Sequence, residues 1–162
     1  MIFEYKGRKE VPYGWRIRIN LNGIKTYKVF TYNSVKTESD KHRYTNKSEA
    51  KKAAMEYIEN YYLDHGPRLG QEVTWTSGTS GLKEKKGAVI EIVHRKKDIR
   101  KNLKKYIGKY VFKTTILLSD YRVVSNYLTY IILVDEGSGK NGHKRKRLYV
   151  PQASMLRYKN NE

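Results

Sequence analysis

Over residues 15–20 the side chains alternate with a period of two: Trp15, Ile17 and Ile19 fall on one side of an extended chain, and Arg16, Arg18 and Asn20 on the other. This predicts a strand with one apolar face and one cationic face rich in hydrogen-bond donors. Asn22-Gly23 follows. Both central residues of a type I′ turn need positive φ, so this pair predicts a hairpin, with residues 25–31 as the return strand. A further short strand is expected at residues 2–5, and residues 33–41, polar and without a period, read as a loop before another short strand at 42–44. Asn46 stands three residues before Glu49, the spacing of an N-cap and its reciprocal partner. Ala50, Ala53, Ala54, Tyr57, Ile58 and Tyr61 then recur on one face of a helix, opposite Lys47, Lys51, Lys52, Glu56 and Glu59, until His65-Gly66-Pro67 ends it. The small alanines let such a helix lie close over the apolar face of the strand, which turns the arginines outward.

Beyond Gly66 the pattern shifts toward strands, expected at residues 72–77, 87–94, 110–118, 127–134 and 148–150. Between the second and third of these, Asp98 is placed to cap a short helix with Ile99, Leu103, Tyr106 and Ile107 on one side and Arg100, Lys101, Lys104 and Lys105 on the other. Short strands with one small helix predict a compact antiparallel barrel, since closure removes exposed edges. The fold class expected is therefore α+β: a three-stranded antiparallel sheet packed on one helix in residues 1–66, then a small basic β-barrel in residues 67–162.

Charge changes this picture from two folds to one kind of partner. With 34 basic and 16 acidic side chains the chain carries +18, of which residues 1–66 hold +5 and residues 67–162 hold +13. Such a field attracts polyanions and speeds encounter with them. The composition, 38% apolar and 31% charged, is too apolar for a wholly disordered chain. The longest uncharged apolar run, residues 127–134, is far short of the roughly 20 residues of a spanning helix, and there is no amphipathic helix with a bulky apolar face or lipidation signal, so no membrane partner is expected. The first residues lack a basic segment followed by an apolar core, so a cytoplasmic location is expected.

The sequence Gly14-Trp15-Arg16-Ile17-Arg18-Ile19, the Asn22-Gly23 turn, Thr26-Tyr27-Lys28-Val29-Phe30 and the helix Ser48-Glu49-Ala50-Lys51-Lys52-Ala53-Ala54 together resemble the Apetala-2/ethylene-response-factor DNA-binding domain. They are similar also to the arm-binding domains at the start of phage integrases. The resemblance covers residues 13–62 and implies a three-stranded sheet whose outer face enters the DNA major groove. It implies DNA contacts from Arg16 and Arg18 on the first strand, Lys28 on the second and Lys25 beside the turn. Asn20 shares the strand face of the two arginines. The longer polar connection at residues 33–43 departs from the family pattern. Arginine forks bind guanine O6 and N7 in pairs, and a two-stranded ribbon fits the major groove; the plainer alternative is that these cations solvate an open sheet face. In the second half, Arg100, Lys101, Lys104 and Lys105 with the run Lys144, Arg145, Lys146 and Arg147 are candidates for phosphate contacts. By strand count this half resembles Src-homology-3-like small barrels.

Reaction chemistry is not suggested. Gly137-Ser138-Gly139-Lys140-Asn141-Gly142-His143 lacks the Gly-Lys-Ser/Thr ending of a phosphate loop and reads as a hairpin turn. His42, His65, His94 and His143 are scattered without carboxylates at ligand spacing, and cysteine is absent, so neither metal, cofactor nor catalytic triad is expected. The His-Asn-His nuclease motif that often accompanies Apetala-2-type domains is missing. Fifteen tyrosines open a role in stacking single strands or RNA, but AT-rich codon usage is the favoured account of their number. The expectation is a non-enzymatic double-stranded DNA-binding protein in the style of a phage or mobile element. The alternative is a phage-encoded inhibitor that binds a host nucleic-acid-targeting defence enzyme, or its RNA or DNA.

Overall fold

A computed structural model describes residues 2–5, 13–32, 43–44, 46–77, 83–106, 111–112, 125–138 and 144–159. The chain forms two compact units, one of Met1–Asn20 with Ile24–Asp64, the other of Leu21–Gly23 with His65–Glu162. Both combine largely antiparallel sheet with helix, in the order β1 (Ile2–Tyr5), β2 (Tyr13–Leu21), β3 (Ile24–Tyr32), β4 (Arg43–Tyr44), α1 (Lys47–His65), β5 (Glu72–Ser77), β6 (Lys83–Val93), α2 (Ile99–Lys104), β7 (Val111–Phe112), β8 (Thr129–Ser138), β9 (Lys144–Tyr149) and a short 3-10 turn.

The first unit holds a four-stranded sheet in the order β1-β2-β3-β4, rather than the three strands expected. β1 adds to the outer edge of β2, with Ile2 opposite Ile17, and β4 joins β3 in parallel, which the purely antiparallel expectation missed. The Asn22-Gly23 turn forms with both residues at positive φ, 50° and 86°. Trp15, Ile17, Ile19, Phe30 and Tyr32 are buried on one face of the sheet. Helix α1 covers them with Ala50, Ala54, Ile58 and Tyr62, a stripe at four-residue intervals that leaves Ala53, Tyr57 and Tyr61 on its flank. Tyr62 was not expected in this stripe; its hydroxyl donates to the Asn20 carbonyl, which satisfies the one polar atom that burial would otherwise penalise. The helix begins as its sequence dictates, Asn46 Oδ1 accepting from the Glu49 amide at 2.9 Å. Trp15 ties helix to sheet by donating its indole N–H to the Lys47 carbonyl, while Lys51 lies 4.8 Å over its ring.

The second unit holds a five-stranded sheet in the order β5-β6-β8-β9-β7, antiparallel except for β7 beside β9. This order is open, with β5 and β7 at its two ends, so the closed barrel expected from the sequence is not what forms among the described residues. The outer side of β5 is covered differently: Thr74 and Arg157 exchange both backbone hydrogen bonds, so the C-terminal segment shields that edge. β8 is central and buried on both faces, through Tyr130 and Ile132 on one side and Ile131 on the other. α2 packs Leu103 against Val93, Ile131 and Leu148. It stops at Lys104, earlier than expected, and of the strand predicted over 110–118 only Val111–Phe112 falls within the described residues. Gly87 sits where a Cβ would strike the Leu133 carbonyl, so only glycine lets β6 and β8 approach this closely.

Candidate nucleic-acid interface

The outward face of the first unit's sheet is built by alternation. Arg16 and Arg18 on β2 are exposed and Asn20 is half-buried. On β3 the exposed residues sharing this face are Lys25, Tyr27 (51% exposed) and Val29 (48%). The Arg16 guanidinium lies 5.2 Å from the centre of the Tyr27 ring, a cation–π contact that holds the arginine flat on the sheet and limits its rotamer search. Tyr27 and Val29 on β3 therefore stand beside the two arginines of β2 on one sheet face.

Lys28 does not belong to this face. Its ammonium lies 4.1 Å from the Tyr57 ring of α1 and 5.7 Å from that of Phe30, on the helix side of the sheet. The neighbouring Thr26 points the same way, its hydroxyl 3.1 Å from that of Tyr61. The exposed β3 positions beside Arg16 and Arg18 are instead Tyr27 and Val29, which the resemblance did not single out. Strand parity was the signal that would have found them, since 25, 27 and 29 alternate with 26, 28 and 30.

In the second unit several expected phosphate contacts are occupied within the fold. Arg100 folds back on Asp98, which caps α2 by accepting from the Arg100 amide (3.0 Å) and from its Nε (3.3 Å). Lys105, just past the helix, pairs with Glu91 at 2.7 Å, and Asn102 and Tyr106 donate to the same carboxylate. Burial pushes the Glu91 carboxyl up, but these donors outweigh it and hold its pKa below the usual value. The basic run 144–147 lies within strand β9, so the successive residues Lys146 and Arg147 fall on opposite faces. Arg147 is half-buried, its Nε 2.9 Å from Glu136, a carboxylate that also accepts from Tyr149 and lies 3.3 Å from Lys85. Glu136 too is held low by these donors against the upward push of burial. Lys101, Lys104 and Lys146 are exposed, and the side chains of Lys144 and Arg145 lie outside the described residues.

No family model, curated protein or solved structure matches this chain. Its reading rests on its own geometry. Among the described residues no group of acidic and histidine side chains is arranged to hold a metal ion, and no helix is long and apolar enough to cross a membrane.

Proposed function

We propose that this is a non-enzymatic double-stranded DNA-binding protein that lays the outer face of β2 and β3 into the major groove. The observation that carries the reading is the exposed face of Arg16, Arg18, Lys25, Tyr27 and Val29. An antiparallel ribbon has the width of the major groove, arginine forks match guanine, and a branched apolar side chain such as Val29 suits a thymine methyl group. The +18 charge supplies the sequence-independent attraction. The same exposed Arg16, Tyr27 and Val29 favour a second reading, an inhibitor that docks on a nucleic-acid enzyme, because aromatic side chains and arginine are enriched where protein partners bind.

Fluorescence anisotropy with labelled duplex DNA separates the two. Arg16→Ala with Arg18→Ala is expected to weaken duplex binding by at least about tenfold, as removal of even one forked pairing with a base does. Lys28→Ala, on the helix side, is expected to change it much less. No detectable duplex binding by the unaltered protein at about 50 mM salt, where phosphate contacts are strong, rejects the DNA reading in favour of a protein partner.

A further inference from the structure

The turn between β6 and α2 borders a cavity of about 420 Å³, lined by Ile92, Val93 and His94 from the strand end and by Lys96, Lys97 and Lys101 from the turn and helix. Three lysines thus contribute to the lining of one concavity. The carboxylate that also lines it, Asp98, is paired with the Arg100 side chain and amide and interacts with Lys101 as well, so the lining keeps an excess of positive charge. The backbone of this turn adds a second observation. The Lys97 amide donates to the His94 carbonyl at 3.2 Å, closing a four-residue turn, and Lys96, its third residue, has φ of 61°. Positive φ at that position alone is the pattern of a type II turn, where glycine or asparagine normally sits and a lysine is strained. The Lys96 amide is fixed in place by the Ser125 carbonyl at 2.8 Å. The fold would be served better by glycine. A lysine there adds a cationic residue to the lining of the cavity at a cost in backbone strain, the relation expected where a side chain serves a ligand.

We infer that this groove is a phosphate-binding site of the second unit, with Lys96, Lys97 and Lys101 taking phosphates of the nucleic-acid backbone. The inference rests on the DNA reading above. It also accounts for sequence-independent affinity: compact ammonium groups grip phosphate as point charges without reading bases.

The test is a salt series of anisotropy titrations on a labelled duplex with the full chain. Lys96→Gly is expected to keep or raise the thermal midpoint while weakening binding, a combination that damage to the fold cannot produce. Lys97→Ala with Lys101→Ala is expected to flatten the slope of log K against log salt by about one to two, roughly one for each phosphate no longer neutralised. A charge-matched control, Lys52→Ala with Lys83→Ala, both exposed and outside the groove, is expected to leave the slope unchanged. Equal slopes in the groove variant and the unaltered protein, or equal flattening in the control, would overturn the inference while leaving the DNA reading intact. No duplex binding by the unaltered protein overturns both. Tighter binding to phosphatidylserine vesicles than to duplex, lost in Lys96→Gly, would assign the groove to lipid and also overturn it.

Discussion

Gly14 carries more of the first unit's sheet than its size suggests. A Cβ at this position would come within 2.8 Å of the Phe30 carbonyl and 3.1 Å of Val29 Cγ1, so β2 and β3 approach here only because hydrogen replaces a methyl group. Gly14→Ala is expected to destabilise the protein by about 1–3 kcal/mol, the range for overpacking, measured as a lower urea midpoint with unchanged m-value. At the same scale, the outward placement of Arg16 and Arg18 was legible from alternation alone. The placement of Lys28 was legible too, but only through the turn. A two-residue hairpin loop closing on Leu21 and Ile24 sets Lys28 opposite Ile17, and a residue opposite a buried isoleucine must share its face.

At the level of elements, β6 and α2 are held by one carboxylate. Glu91 on the strand accepts from Asn102, Lys105 and Tyr106 on and after the helix, and none of these pairings lies at a helical or hairpin spacing that a sequence displays. Glu136 plays the same part between β8 and β9 through Arg147 and Tyr149. Both carboxyls are held below the usual 4.5. A depressed carboxyl contributes stability that is fully present above its unfolded pKa and is lost as pH falls through the lower folded one. The thermal midpoint is therefore expected to drop as pH is lowered from about 5 toward 3, where these groups protonate. Glu91→Gln is expected to make that drop shallower while lowering the midpoint at pH 7. A drop of the same steepness in the variant would show that Glu91 is not one of the groups responsible.

For the whole molecule, +18 spread over 162 residues means that like charges oppose compaction. Salt screens this repulsion over a distance of about 10 Å at 0.1 M. The thermal midpoint is therefore expected to rise as salt increases from about 20 mM to 0.3 M; a fall would mean that ion pairs such as Lys105 with Glu91 outweigh the net repulsion. Local periodicity and turn chemistry in the sequence settled the hairpin, the amphipathic helix with its Asn46 cap, the apolar and cationic faces of β2 and the mixture of strand and helix. These depend on neighbours within a few residues, which is the range over which backbone geometry repeats. Only the tertiary structure decided the parallel partners β4 and β7, the open order of the second sheet and its edge covered by the C-terminal segment, because such pairings join residues far apart in the chain. It also decided which of the many cations are paired with a carboxylate. Arg100, Lys105 and Arg147 are indistinguishable from Lys96, Lys97 and Lys101 in composition, and they differ because a carboxylate stands beside the first three, whereas the others line a cavity whose one carboxylate is already engaged by Arg100.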